Sequence, residues 1–327
     1  MRVFVTGAAG CLGQVLLPAL LADARVSTVT AHDLRWINPP HHPRLTLLAG
    51  DIRDSRWCVQ AAPCDVLIHM AFVVIDSHLG ARRRDRALAH AINIEGTKNA
   101  ISASLAGGAR LIHISSASVY GGAARVVRED DPPHPLPGFG YAHDKQEAEA
   151  LIDAAGAQGL NAIRLRPHII LGPRAQPFLR GLLRAPFYAR LAPAPLLQLV
   201  HEDDVADAIL LSLGAAVQGP VNLATCDALS FADMQRFCHA HPIGLPPRWA
   251  RAAVRFAFYG LGLGPHPAWS DALDQSLVVD TQKARTQLHW RPRCPTVHSV
   301  LAHLNRPAPP AGVMTGGPAS PQSLSPP

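Results

Sequence analysis

One stretch near the N-terminus constrains the fold more than any other. Val3-Phe4-Val5-Thr6-Gly7-Ala8-Ala9-Gly10-Cys11-Leu12-Gly13 passes from an apolar strand through three glycines into an apolar helix over residues 12–21. Each glycine has its own use. Gly7 can make the sharp turn off the strand. Gly10 lets the backbone approach a pyrophosphate with no Cβ in the way, and Gly13 lets the helix pack close to the sheet. The helix N-terminus then offers free N–H groups and the positive end of its dipole to phosphate. Three glycines alone mean little; a strand before them and a helix after them give the spacing its meaning. The competing reading is a tight turn with no ligand.

The rest of the first 170 residues repeats this alternation. Short β-branched runs at residues 2–5, 26–32, 45–49, 66–69, 111–115 and 162–165 are separated by helical stretches, one of them at 141–155. Near-continuous apolar strands between helices predict a parallel sheet buried on both faces. The expected fold is therefore α/β, a Rossmann-type doubly wound parallel sheet, with a smaller C-terminal α/β substrate lobe. We expect a dinucleotide-binding domain over 1–167 and a lobe over 168–305 that sends segments back to the first domain. Beyond Pro167, prolines at 173, 177, 186, 193 and 195 require short helices. A helix is expected at 203–213, a strand at 221–223 and a helix at 231–239. The stretch 248–261 is unusually apolar, with Trp249, Phe256, Phe258 and Tyr259. It can line a greasy pocket, lie on a membrane surface, or pack as a helix into the second lobe, which is the preferred reading. Residues 306–327 are rich in Pro, Gly and Ser and read as a disordered tail.

Composition narrows the function classes. With 48% hydrophobic residues the chain can bury a sizeable core. No apolar run approaches the roughly 18 residues needed to cross a bilayer, and Met1-Arg2-Val3-Phe4-Val5 reads as a strand, not a leader. We expect a cytoplasmic protein without stable membrane insertion. The six cysteines have no C-x-x-C spacing, so reduced thiols are expected, and the 17 histidines form no metal-type pair. No metal is expected. The net charge of +6 suits an anionic ligand. The one dense basic run, Arg82-Arg83-Arg84-Asp85-Arg86, is expected in a surface loop with no nucleic-acid motif beside it, so no nucleic-acid partner is expected.

Three further positions carry chemistry. Asp33 ends the second strand about 20 residues after Gly13, where a carboxylate can accept ribose hydroxyls and repel a 2′-phosphate. This favours NAD over NADP, with Arg35 close enough to soften the preference; an N-cap or a plain surface role is the alternative. Asp51, after the third strand in Gly50-Asp51-Ile52-Arg53-Asp54, suits contact with adenine or a cap on the next helix, with Ser55 as competitor for the cap. Tyr141 and Lys145 stand four residues apart on one helical face. An ammonium beside a phenol, with a cationic nicotinamide near, lowers the phenol pKa and lets it exchange a proton with a substrate oxygen. Ser116 and Ser118 close the fifth strand at the sheet's carboxyl edge. Either can bond the substrate oxygen, or both can satisfy loop backbone.

As a set these motifs resemble the extended short-chain dehydrogenase/reductase family, the NAD-dependent epimerase/dehydratase group. TGAAGCLG, Asp33, GDIRD, HMAF at 69–72, NIEGTKN at 93–99, SSASVYG at 115–121, YAHDK at 141–145, RPHIILGPR at 166–174, VHEDDVADA at 200–208, VNLA at 221–224 and DTQKARTQLHWRP at 280–292 follow the family's order. The resemblance covers about residues 1 to 305. It implies Tyr141 as general acid/base, Lys145 on the nicotinamide ribose, and Ser116 as the catalytic hydroxyl in preference to Ser118. Cofactor contacts are implied for Gly7, Gly10, Cys11, Leu12, Gly13, Asp33, Asp51, Ile52, Ala71, Asn93, Pro167 and His168, the last two through backbone groups. It implies that Asp203 and Asp204 cap the following helix. It also implies a homodimer through the helices around Asn93 and Tyr141.

Two positions depart from the family's sugar-nucleotide enzymes. Ile169 stands where those enzymes typically have an asparagine, and Leu197 where they have an arginine for the diphosphate. Losing both removes charge-assisted contacts of about 1.5–3 kcal/mol each, unless Arg174, Arg180, Arg184 or Arg190 substitutes. The first expectation is an NAD(P)-dependent oxidoreductase acting on a ketone, aldehyde or secondary alcohol of a small molecule. The second is a nucleotide-sugar epimerase or dehydratase that retains NAD. Dehydration is the weaker of these, because Ala117 and Ser118 stand where an acid–base pair would be. The third is a non-catalytic NAD(P) sensor, disfavoured because Tyr141 and Lys145 are both present.

Overall fold

The computed structural model describes residues 1–37, 39–74, 86–238, 241–262 and 266–304. Seven parallel strands form its main sheet: β1 (Arg2–Thr6), β2 (Thr28–Asp33), β3 (Leu45–Ala49), β4 (Val66–His69), β5 (Arg110–Ile114), β6 (Ala162–Pro167) and β7 (Gly219–Leu223). Their spatial order is β7-β6-β5-β4-β1-β2-β3. The order reverses between β1 and β4, so the crevice for a ligand opens at the carboxyl ends of these two strands. Thr6 and His69 end them in register, and the glycine loop and the HMAF segment follow directly.

The sheet is buried on both faces, which is why its strands read as continuous apolar runs. In β1, Val3 and Val5 join one core while Phe4 joins the other. Likewise Val66 and Ile68 oppose Leu67, and Ile112 and Ile114 oppose Leu111. This period of two sends successive side chains to opposite layers. On one side lie α1 (Cys11–Ala22), with Leu16, Leu17 and Leu20, and α6 (Glu202–Ser212), with Val205 and Ile209. On the other lie α2 (Arg56–Ala61), α3 (Arg86–Gly107) and α4 (Gly140–Gly156). A further core joins Leu171, Leu183 of α5 (Pro177–Leu183), Leu197, Leu199, Met234, Leu277 and Val300 from the second half of the chain. The fold is thus the expected Rossmann-type sheet, and α6 and β7, from beyond residue 168, belong to its layers.

Several boundaries differ from expectation for local reasons. β2 starts at Thr28, because the Val26 N–H donates to Asp23 and the Ser27 N–H to Met1 before the ladder begins. α6 starts at Glu202 and is capped by the His201 ring, which accepts the Asp203 N–H at 3.2 Å. Asp203 and Asp204 are therefore not its caps. The Asp204 carboxylate instead accepts the N–H groups of Arg293 and Cys294, at 2.6 and 3.1 Å, and holds that returning segment. α7 (Phe231–Phe237) ends before His239, which lies outside the described residues, as do the 306–327 tail and Arg82 to Asp85. No disulfide joins any of the six cysteines.

The apolar stretch at 248–261 departs most. α8 (Pro247–Arg255) runs into a wider π-helical turn over Phe256–Gly260, and Ala250 is its one buried residue. Trp249, Phe256 and Tyr259 are exposed. The helix expected here does pack on the second lobe, through Ala250 and Val254, but much of its aromatic surface is turned outward.

Candidate active site

Gly7 leaves β1 with φ +72°, and a Cβ on it would lie 2.6 Å from the Ala71 N atom. Gly7 is therefore required both by backbone sign and by the close approach of the segment after β4. Gly13 is equally confined, but by the Ala8 carbonyl at 2.2 Å within the same loop, not by the sheet. Gly10 caps α1 with no side-chain hydrogen bond, so the first-turn amides and the positive helix end face the crevice. Asp33 accepts the Ala9 N–H at 2.9 Å and the Leu34 N–H at 2.7 Å. Its carboxylate thus pins the glycine loop to the end of β2 and is not a helix cap.

A pocket of predominantly apolar lining opens from this loop. Gly7, Gly10, Cys11, Leu12, Gly13, Ser116, Tyr141, Lys145, Pro167 and His168 all line it. Asp33, Asp51, Ile52, Ala71 and Asn93 do not. Asp51 neither caps α2 nor faces the pocket. It pairs with Arg53 at 2.6 Å, which holds its carboxyl below the ordinary value. Ser55, at the α2 N-cap, makes no side-chain cap bond either. Ile52 is buried against Gly96, whose missing Cβ would lie 3.0 Å from it.

The reacting groups sit on α4 and on the turn after β5. Ser116 caps the short 3₁₀ turn Ala117–Tyr120, accepting the Ser118 N–H at 3.2 Å and the Ser118 hydroxyl at 2.9 Å. Of the two hydroxyls it is Ser116, not Ser118, that favours ionisation of the Tyr141 phenol. Burial raises the Tyr141 phenol to about 12, the Ser116 hydroxyl partly offsetting this. In the protein alone, Lys145 does not bring the phenol below its ordinary value. The Lys145 Nζ stays 5.9 Å from the Tyr141 ring centroid, donates to the Ile114 carbonyl at 2.6 Å, and is itself pushed down to about 7 by burial. It rests 3.4 Å above the Phe72 ring, an uncharged surface.

A polar scaffold fixes these groups from behind. Asp144 is buried and accepts from Arg86, His90 and Asn93. Burial opposes its ionisation, but these bonds outweigh it and hold its carboxyl below the ordinary value. Asn93 also accepts the Val73 N–H at 2.7 Å and donates to the Val73 carbonyl. It joins the segment after β4 to the helix carrying Tyr141 and Lys145. One turn on, Glu149 receives the Ser115 hydroxyl and the Arg166 guanidinium, all buried. His168 accepts the Ile169 N–H on Nδ1 and donates from Nε2 to the Leu277 carbonyl at 3.0 Å. Its own backbone N–H donates to Leu223. The backbone N–H groups of His168 and Ile169 are thus already engaged inside the protein.

The opposite wall was not legible in the sequence. Leu136, Phe139, Phe178, Leu182, Trp269 and Leu273 line it. Trp269 lies within 4.9 Å of Phe139 and of Phe178, and 5.5 Å from Tyr141, centroid to centroid. Ile169 and Leu197 line the pocket too, and no arginine does among the described residues. Arg180 donates to the carbonyls of Gly172 and Pro173, and Arg190 to that of Gly244. Away from the pocket, His201, Cys294 and His303 bring one possible ligand atom each within 4.8 Å of one another. Their separation along the chain gave no sign of this grouping.

Comparison with known proteins agrees with this geometry. A model described as NAD dependent epimerase/dehydratase family matches residues 3–224. A 3 beta-hydroxysteroid dehydrogenase/Delta 5→4-isomerase of Mycobacterium tuberculosis is 33% identical over 191 residues, 56% of this chain and 51% of that protein. The chain thus spans about half the length of that relative. A ceramide reductase of Caulobacter vibrioides is 28% identical over 305 residues, covering 89% of this chain and 86% of its own. Among solved structures, MoeE5 in complex with UDP-glucuronic acid and NAD is 26% identical, with a TM-score of 0.69 over 93% of this chain and 97% of that one.

Proposed function

The chain belongs to the NAD dependent epimerase/dehydratase family, and within it we propose an NAD-linked oxidoreductase that interconverts a ketone and a secondary alcohol on a largely apolar molecule. One observation carries this reading. The pocket around Tyr141 and Ser116 is walled by Leu136, Phe139, Phe178 and Trp269 and holds no arginine among the described residues. A sugar diphosphate needs charge-assisted contacts, and Ile169 and Leu197 supply none. The ceramide reductase and hydroxysteroid dehydrogenase likenesses support the same substrate character.

The residues present fit a dinucleotide. The turn at Gly7 has no room for a Cβ, and the first-turn amides of α1 carry no side-chain cap. Gly7, Gly10, Cys11, Leu12 and Gly13 would hold the pyrophosphate, Asp33 the adenosine ribose, and Asp51 and Ile52 the adenine end. Ala71, Asn93, Lys145, Pro167 and His168 would border the nicotinamide end. When bound, the cofactor supplies or accepts the hydride. Ser116 and Tyr141 hold the substrate oxygen between two hydroxyls. In the reductive direction Tyr141 gives its proton to that oxygen as the carbon is reduced; in the oxidative direction it takes the proton back. The Lys145 ammonium favours the phenolate by charge, and Asp144 and Asn93 keep α4 at the right depth. A homodimer through α3 and α4 and a cytoplasmic location complete the proposal.

Nucleotide-sugar epimerisation with retained NAD is the second reading, favoured by the likeness to MoeE5 over 93% of the chain. Absorbance at the reduced-nicotinamide band separates the two. Long-chain ketones should drive sustained oxidation of excess NADH. Isomerised UDP-glucose with no net cofactor turnover would overturn the reductase.

A further inference from the structure

The helical segment at 247–260 turns aromatic side chains to solvent. Trp249 is 60% exposed, Phe256 65% and Tyr259 56%, and Leu261 follows at 58%. Positions 249, 252, 256 and 259 recur at intervals of three and four and are all exposed, so they form a stripe along the helix. Single exposed apolar residues need no explanation, but such a stripe does.

Charge sets the kind of partner. Between Asp233 and Asp271 the sequence holds no aspartate or glutamate, and four arginines, Arg236, Arg248, Arg251 and Arg255. Arg251 reaches Asp274 at 3.0 Å, and Arg255 reaches Asp271 at 3.5 Å. Both aspartates belong to α9 (Pro267–Leu273) or its end, so these two arginines brace the helix. Arg248 is exposed and stacks 5.6 Å from the Trp249 ring centroid. Aromatic rings beside Arg248, which makes no ion pair among the described residues, suit the headgroup region of an anionic bilayer. No described helix is long and apolar enough to cross a membrane, so binding would be in-plane.

The inner face of the helix gives the stripe a reason. Ala250 and Val254 line a second apolar cavity with Phe187 and Phe231, and Leu182 and Leu273 line both this cavity and the active-site pocket. Leu182 and Leu273 thus stand between an apolar cavity beneath the helix and the pocket that holds Tyr141.

We propose that this segment docks the protein on an anionic phospholipid surface, with Trp249 and Phe256 among the headgroups and Arg248 against lipid phosphate. Docking would place the apolar cavities beside the phase that stores a lipid-like substrate, but it is measured without turnover and stands apart from the reductase reading. The test is co-sedimentation of the full chain with phosphatidylcholine vesicles, with and without phosphatidylglycerol, alongside light scattering. Binding should require phosphatidylglycerol and weaken with salt. The double variant Trp249→Ser, Phe256→Ser should bind at least about tenfold more weakly, and Arg248→Ala about fivefold, both with wild-type thermal unfolding. Failure of the wild type to bind, or equal binding by the variants, overturns the proposal. So does a double variant that turns a dimer into a monomer, because a second copy would then cover this face.

Discussion

The two walls of the pocket are built on opposite plans. The wall carrying Ser116, Tyr141 and Lys145 is backed by buried polar groups, Asp144 with Arg86, His90 and Asn93, and Glu149 with Arg166 and Ser115. The facing wall is Leu136, Phe139, Phe178 and Trp269, meeting edge to ring. A hydrogen-bonded wall has few alternative arrangements, because each displaced group would be left unpaired in a low dielectric. An apolar wall is non-directional and can be reshaped at small cost. The first plan suits fixed proton chemistry, and the second suits recognition by shape. The comparison predicts that damage to the first wall is severe and general, and damage to the second mild and substrate-dependent.

Tyr141→Phe should give the largest effect. It deletes one oxygen and keeps the ring that packs on Phe72 and Trp269. Steady-state assays should show kcat lower by about 10²- to 10⁴-fold, with thermal stability nearly unchanged. Unaltered turnover would remove Tyr141 from the chemistry.

Glu149→Gln should come next, and its effect is on stability. Glu149 and Arg166 are both about 3% exposed. The substitution strands a buried guanidinium, so unfolding in urea should show a loss of about 3–5 kcal/mol. A loss within the range of a surface substitution would mean that the scaffold wall is no more constrained than the apolar one.

How much of this was legible in the sequence follows from how local each feature is. The strands were readable because burial on both faces leaves a continuous apolar run. The glycine loop was readable because its spacing and its flanking strand and helix are contiguous in the chain, although Ala71 and Asp33 also hold it from outside. Tyr141 and Lys145 share one helix, so spacing alone brings them together. The ionisation of the pair was not readable: burial pushes the phenol up and the lysine down, and the Ile114 carbonyl fixes where the ammonium rests. Phe72 beneath Lys145 had its motif as a signal but no role. Phe178 and Trp269 lie in proline-broken stretches whose partners are distant in the chain, so no period marked them. The outward turn of the 248–261 stretch was likewise hidden, because composition does not say which face a short helix buries.

A third prediction concerns pH. Burial holds the His168 imidazole down to about 4, against 6.5 for an ordinary histidine. Between those values the unfolded chain binds a proton that the folded chain does not. Stability is therefore fully present above pH 6.5 and falls as the pH drops towards 4. At 1.36 kcal/mol per unit the loss approaches about 3 kcal/mol. Chemical unfolding at pH 7 and 4.5 should show this fall, and His168→Gln, which cannot titrate, should remove about 2–3 kcal/mol of it. An unchanged slope would assign acid lability to other groups, such as His69, which burial holds to about 3.

Trp269→Leu should give the smallest effect and separates the walls most cleanly. The indole touches Phe139 and Phe178 on one side and lies near Tyr141 on the other. Leucine keeps an apolar wall but removes part of its area. A loss of about 1–2 kcal/mol of contact corresponds to a KM raised roughly 5- to 30-fold for a bulky apolar ketone. Contact of this kind is the same in the ground and transition states, so kcat should hold within about threefold. A short-chain ketone offers the indole less surface, and its KM should move much less. The KM for NADH should also stay constant, because the dinucleotide-binding residues proposed here lie on the other wall. If Trp269→Leu lowered kcat for short and long substrates alike, the aromatic wall would be positioning Tyr141 and not recognising substrate. The division between a wall for chemistry and a wall for shape would then fail at a residue that touches both.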